Sequence, residues 1–231
     1  MLRNIQQLPP HQRQFVFFTI FGGILLALIG LTALLASSAL NPGERVSGIA
    51  LVEGVTVREF AVLPDDDAYP ASVAVLPDGG VITGSYATGV LWRIDAEGNA
   101  AEIFDTRDVI GAVIGLAVGA DGTIYVVDQR DTDVRTGGGD VKRLAPRGVV
   151  TLFADVAASR GFLAPHDVTL DADGRVYVTD RGTNAVWRFE ADGSGETVWW
   201  QPPADAEGVP RGAVTGLAYD ATRNAIIVTD P

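Results

Sequence analysis

Pro165-His166-Asp167 places an imidazole beside a carboxylate, the smallest pairing able to move a proton near neutral pH. His166 is the only histidine beyond the N-terminal tail. Three further carboxylates, Asp128, Asp180 and Asp230, close apolar segments of one kind: Tyr125-Val126-Val127-Asp128, Tyr177-Val178-Thr179-Asp180 and Ile227-Val228-Thr229-Asp230. Carboxylates crowded on one face raise one another's pKa and suit a general base or a hard cation such as Ca²⁺. Each has a plainer use, capping a turn through nearby backbone N–H groups. The sequence nominates His166 and Asp167 for catalysis, and Asp128, Asp180, Asp230, Arg181 and Tyr86 for ligand binding. Asp167, Asp128 and Asp180 are the candidates to hold Ca²⁺ or another divalent metal.

These residues belong to a unit that occurs four times. An apolar strand, a tight turn, a second apolar strand and a small or acidic residue run from Pro70 to Ser85, Ile114 to Asp128, Pro165 to Asp180 and Thr215 to Asp230. The turns are Asp78-Gly79, Asp121-Gly122, Asp173-Gly174 and Arg223-Asn224, spaced by 43, 52 and 50 residues. Asp-Gly between apolar runs is a strong hairpin signal, because Gly adopts the positive φ of the turn. Each of the first three units continues with two more alternating segments, such as Ala185-Val186-Trp187-Arg188-Phe189, an Asp192-Gly193 turn and Glu196 to Trp200. Four antiparallel strands repeated at this period predict an all-β protein, a β-propeller of about six blades, present as three blades and two strands of a fourth. Trp92 and Trp187 fall at equivalent third-strand positions and are expected to pack between blades.

In a propeller the start of each first strand and the end of each second emerge on one face. This sets Ser85-Tyr86, Ile114-Gly115 with Asp128-Gln129, His166-Asp167 with Asp180-Arg181, and Thr215-Gly216 with Asp230 around one channel mouth. A long insertion, Gln129 to Gly139, carries Asp131, Asp133 and three consecutive glycines; it reads as an acidic loop over that mouth and lacks the Gly and terminal Glu of an EF-hand. No nucleophile elbow, phosphate loop or zinc helix occurs. A full ring needs more residues than follow position 54, so the chain is expected to be a fragment or an open arc. Val55 to Leu63 alternates and reads as a closing strand.

The run Asp-Val-x-Leu-Asp-x-Asp-Gly-x-Val-Tyr-Val-Thr-Asp at 167–180, followed by Trp187-Arg188-Phe189, resembles the NHL-repeat and gluconolactonase (senescence-marker) propellers and their strictosidine synthase-like relatives. The resemblance covers about residues 55–231. It implies a small-molecule hydrolase or lyase acting at the channel mouth on a lactone or ester. It also implies a divalent metal polarising a carbonyl, with an Asp as base. The Glu that the family places before its first inner strand is absent from Tyr69-Pro70-Ala71-Ser72. Pro165-His166 is also similar to the histidine-led inner strands of streptogramin lyase and amidating-lyase propellers. The alternative is a non-catalytic propeller binding a protein or glycan.

An uncharged apolar run from Phe15 to Ala36 is long enough to cross a bilayer core of ~30 Å. The expected organisation is a cytoplasmic tail over 1–14, a transmembrane anchor (or uncleaved signal) over 15–37, a linker over 38–54 and the propeller over 55–231. Arg3 and Arg13 before the run place the N-terminus inside and the propeller outside the cytoplasm, as a single-pass membrane protein. Ser37-Ser38-Ala39 is the competing signal-cleavage site. There is no cysteine, which removes disulfides, thiol catalysis and lipoprotein acylation. Beyond residue 40 the chain holds 15 basic and 29 acidic residues, a formal charge of −14 that repels phosphate backbones and argues against nucleic acid.

Overall fold

A computed structural model describes residues 9–40, 50–64, 68–133, 136–154, 161–208 and 212–229. The chain separates into two compact units, Met1–Glu59 and Phe60–Pro231.

Among the described residues the first unit holds the helix α1 (Pro10–Leu40). Pro10 occupies the first helical position, where its missing N–H costs nothing. Among the described residues no helix is long and apolar enough to cross a membrane.

The second unit is all β. One sheet holds β1 (Pro70–Val75), β2 (Val81–Ser85), β3 (Leu91–Ile94) and β4 (Ala100–Glu102). The next holds β5 (Val113–Val118), β6 (Ile124–Asp128), β7 (Asp140–Leu144) and β8 (Val150–Ala154). The third holds β9 (Pro165–Leu170), β10 (Val176–Asp180), β11 (Ala185–Phe189) and β12 (Thr197–Trp200). Strands β13 (Leu217–Asp220) and β14 (Ala225–Val228) pair alone. Every pairing is antiparallel and sequential. Three four-stranded sheets and a two-stranded one are the expected blades.

The turns explain why the units repeat. Gly79, Gly122 and Gly174 all sit at φ near +80°, each closing a three-residue loop in which its N–H bonds back three residues. The fourth turn is longer by one residue. There Asn224 takes the positive φ, and the Asp220 carboxylate receives the Thr222 and Arg223 N–H groups.

Alternation along each strand sends one set of side chains to each neighbouring sheet. Leu116, Ile124 and Val126 face the first sheet and pack with Ile82 and Leu91. Ala117, Tyr125, Val127 and Phe153 face the third sheet and pack with Val168, Val176, Val178 and Phe189. Edge-on aromatic contacts join Tyr125 to Phe153 at 5.1 Å within the second sheet and Phe153 to Phe189 at 6.2 Å across its interface with the third. Strand β5 therefore lies between β1 and β9, and β9 between β5 and β13. Trp92 is fully buried and Trp187 partly so, in keeping with packing roles. Lys142 replaces Trp at the equivalent position of β7.

Val55 to Leu63 forms no strand. Its alternation met no partner ladder, and an unpaired segment has nowhere to place its backbone hydrogen bonds. Phe60 instead runs over the turn at Gly98, where an added Cβ would sit 2.3 Å from the Phe60 carbonyl oxygen. Leu63 packs with Ala68, Val90 and Trp92.

Candidate functional site

The start of β1, β5 and β9 pairs with the end of β2, β6 and β10, as Pro70 with Ser85, Val113 with Asp128 and Pro165 with Asp180. All three junctions carry a bulge, which turns the strand ends out onto one face. A cleft of about 540 Å³ opens there. Tyr86, Gln129 and Arg181, each the residue just past a second strand, line it together with Ile114, Asp131 and Asp133. Of the residues nominated for ligand binding, Tyr86 and Arg181 reach this cleft; Asp128 and Asp180 lie beneath it. Asp230 lies outside the described residues. The 129–139 insertion does border the mouth, through Asp131, Asp133, Gly137 and Gly138.

The geometry explains the division between neighbours such as Asp180 and Arg181. The Asp180 carboxylate is fully buried and accepts the N–H groups of Leu163, Ala164 and Gly182 at 2.8–3.1 Å. It ties the connection entering β9 to the turn leaving β10. Asp128 repeats this in the second sheet: one oxygen accepts the Gly111, Ala112 and Arg130 N–H groups at 2.8–3.1 Å, and the other takes the Lys142 ammonium. Lys142 also reaches the Val109 carbonyl and lies 3.7 Å from Asp140. Burial pushes the Asp140 carboxyl above its ordinary range, partly opposed by Lys142. Lys142 is the structural residue that sequence reasoning missed; a Lys where the sister strands carry Trp was the available signal. Gly111 is forced by the same construction, because a Cβ there would stand 1.6 Å from the Arg130 carbonyl oxygen.

His166 and Asp167 sit where β9 faces the two-stranded sheet. Asp167 is also held by amides: its oxygens accept the Leu217 N–H at 2.8 Å and the Val168 N–H at 2.9 Å. The Thr179 hydroxyl donates to the Thr215 carbonyl at 2.7 Å and receives the Asp167 N–H at 2.9 Å, so these groups stitch the third sheet to the fourth. Burial raises the Asp167 carboxyl above its usual range despite those bonds. His166 is shifted the other way. Burial first, then the nearby Arg181 charge, hold its pKa below 6.5, while a bond to the Thr215 backbone partly offsets them. Its Nδ1 is buried and has no hydrogen-bond partner. The imidazole is therefore neutral at pH 7, with one acceptor nitrogen unfilled. The equivalent position of the second sheet is Ile114-Gly115, and Gly115 has no room for a side chain, since a Cβ would lie 2.8 Å from the His166 carbonyl oxygen. Arg181, exposed at the cleft, makes no ion pair among the described residues.

The donor set does not fit a divalent metal. Asp128, Asp180 and Asp167 direct their oxygens to backbone N–H groups or to Lys142 rather than to a common point. Among the described residues no three His, Cys, Asp or Glu side chains gather in a way that could hold a metal ion.

Residues 162–189, from the entry of β9 to the end of β11, match the NHL repeat family model. With the four sequential sheets, this gives a propeller-type fold in which one blade, at residues 162–189, carries the NHL repeat. Among solved structures it is similar to a streptogramin B lyase, with TM-score 0.56 and 19% identity over 75% of this chain and 51% of that one. It is similar to a protein assigned as a gluconolactonase, with TM-score 0.54 and 21% identity over 71% of this chain and 58% of that one. It is also similar to a chain of a nidogen/laminin complex, with TM-score 0.55 and 19% identity over 71% and 57%. A virginiamycin B lyase from Staphylococcus aureus, solved with quinupristin as a catalytically inactive histidine-to-alanine variant, aligns with TM-score 0.54 and 18% identity over 73% of this chain and 51% of that one. At these identities the likeness establishes the fold. The chain spans between half and three-fifths of the length of these structures. Comparison with curated protein sequences gives no match.

Proposed function

We propose that this chain is part of a membrane-anchored, extracytoplasmic propeller that acts on a small molecule at the channel-mouth cleft, as a lyase or a lactone or ester hydrolase. The observation that carries the reading is His166: a neutral imidazole whose buried Nδ1 has no hydrogen-bond partner among the described residues, near Arg181, which lines the cleft and makes no ion pair among the described residues. Such a base takes a proton from a carbon next to a carbonyl, or from water, and Arg181 stabilises the negative charge that develops on oxygen. Asp167, capped by amides of two sheets, positions β9 and with it the imidazole. The inactive histidine variant of the Staphylococcus lyase supports a histidine-centred reaction in a fold of this kind. No step is assigned to a metal.

The test is turnover of a panel of lactones, esters and cyclic depsipeptides by the full chain and by His166→Ala and Arg181→Gln. A loss of 100-fold or more in kcat for His166→Ala, with KM little changed, is expected of a general base. No turnover of any panel member, or equal turnover by His166→Ala, defeats the catalytic reading. One observation favours the second reading, a non-catalytic site for a protein or glycan: His166 does not itself line the cleft. Ligand capture unaffected by His166→Ala but lost in Arg181→Gln would establish it.

The anchoring part of the proposal rests on the exposed apolar side chains of α1, among them Phe18, Phe21, Ile24 and Leu26. Retention in the membrane pellet after alkaline carbonate extraction, with external protease reaching residues beyond 60, is the expected result. Release into the supernatant opposes it.

A further inference from the structure

A second cleft, of about 760 Å³, opens at the opposite end of the strands, where the β5–β6 and β9–β10 turns bring the second and third sheets together. Its wall includes Asp121, Tyr125, Arg143, Val149, Leu170 and Asp173. Arg143 holds the place that Arg93 holds in the first sheet: each pairs with the second residue of the preceding strand, Tyr125 of β6 and Ile82 of β2. The Arg93 guanidinium is satisfied by the Asp78 carboxylate at the turn, whose other oxygen receives the Gly80 N–H at 3.0 Å. In the second sheet Thr123 stands where the first has Gly80. Its N–H at 3.0 Å and its hydroxyl at 2.8 Å donate to Asp121, one to each oxygen. Asp121 is thereby committed, and the Arg143 guanidinium makes no ion pair or hydrogen bond among the described residues. It sits instead 6.0 Å from the centre of the Phe153 ring. The Thr123 bonds hold the Asp121 carboxyl below its ordinary range and Arg143 adds a smaller pull, so cation and carboxylate stand near each other without meeting. Across the cleft the Asp171 oxygens are filled by Arg175 and Tyr177, whereas Asp173, its side chain 72% exposed, meets only Arg175 among charged side chains.

We propose that this cleft binds a free α-amino acid with an apolar side chain, its carboxylate on Arg143 and its ammonium between Asp121 and Asp173. The site is separate from the channel-mouth cleft and does not depend on the chemistry proposed there. Charge selects the ligand. The guanidinium fork matches a carboxylate, and here no side chain of the protein fills it. A simple anion on Arg143 would also face Asp121, Asp171 and Asp173, with Arg175 the one other cation bonded to them. A simple cation among those carboxylates would face Arg143. A neutral sugar would leave Arg143 without a counter-charge. A zwitterion carries both charges in the order the cleft presents them, and bridges the Arg143–Asp121 gap that Thr123 holds open. Val149 and Leu170 give the wall an apolar stretch for the side chain.

Equilibrium dialysis of the whole chain, in detergent micelles, against labelled L-leucine and L-phenylalanine tests this. Saturable binding of at least one is expected. It should weaken at least about tenfold for the N-acetyl derivative, which lacks the ammonium, and for the amide, which lacks the carboxylate. Arg143→Gln should lose binding by a similar factor. So should Thr123→Gly, which copies Gly80: it frees Asp121 to pair with Arg143 as Asp78 pairs with Arg93, closing the site without removing a charged group. Because Thr123→Gly keeps Arg143, it decides the matter if Arg143→Gln does not fold. Binding of the amino acid should be the same in His166→Ala and Arg181→Gln as in the unsubstituted chain, whatever happens to turnover at the channel mouth. Binding lost in Arg181→Gln but kept in Arg143→Gln places the amino acid in the other cleft and overturns the proposal. So does an N-acetyl derivative that binds as tightly as the free amino acid, which marks a simple anion site, or the absence of saturable binding of both probes at millimolar concentration.

Discussion

Replacing Asp128 with Ala separates a structural carboxylate from a ligand-binding one. Its side chain is 1% exposed, and removing it strands three N–H groups, of Gly111, Ala112 and Arg130, together with the Lys142 ammonium. Lys142 is itself only 19% exposed, and its remaining partners are the Val109 carbonyl and an Asp140 oxygen at 3.7 Å. Breaking a buried ion pair by deleting one partner costs about 3–5 kcal/mol, because the other charge stays desolvated. For a domain of this size each kcal/mol moves Tm by about 2–4 °C, so Asp128→Ala should melt roughly 6–20 °C lower. Urea unfolding followed by tryptophan fluorescence should show the midpoint falling at unchanged slope. Asp128→Asn combined with Lys142→Met keeps an acceptor for the three amides while removing the buried ammonium. It should recover most of the loss, as replacement of both partners of a buried pair generally does. If Asp128→Ala costs under about 1 kcal/mol while abolishing ligand binding, the carboxylate serves a ligand and not the buried ion pair.

His166 should titrate below 6.5 in a histidine-resolved NMR experiment, and Arg181→Gln should move it back towards that value by removing the adjacent cation. As pH falls through 6.5 the unfolded chain takes up the proton first, so the domain loses stability from there down to the lower native pKa, and His166→Gln should flatten that part of the profile. Gly111→Ala forces a Cβ into the Arg130 carbonyl and should cost about 3 kcal/mol or prevent folding, read as a lowered urea midpoint. Millimolar Ca²⁺ or a chelator should leave the Tm of this chain within about 1 °C, since a bound ion would stabilise by mass action; a rise of several degrees would reveal a metal site.

The repeat could be read in advance because its signals are local. A glycine after Asp at the turn, or an asparagine in the fourth unit, and the alternation of Val, Ile, Leu and Tyr specify a hairpin within about a dozen residues. The observed strands follow those patterns to within two residues or so at most ends. Where alternation stood alone, at Val55 to Leu63, it did not make a strand, because a ladder needs a partner that composition cannot supply. The convergence of strand ends on one face was likewise legible, since antiparallel pairing fixes which ends coincide.

The roles of the carboxylates were decided only by the folded chain. Asp128 and Asp180 look in sequence like residues offered to a channel, yet their partners lie 16 and 17 residues upstream, in loops that come within reach only when the sheets stack. Asp167 finds its partner N–H 50 residues away in the next sheet. Arg181, one position beyond Asp180 and just past the end of β10, lines the cleft. Residue types and spacings therefore determined the repeating hairpin, the acidic loop and the set of candidates. Which candidate faces water, a ligand or a backbone amide depended on long-range contacts, because a carboxylate is committed by the N–H groups that reach it and those are gathered by tertiary packing.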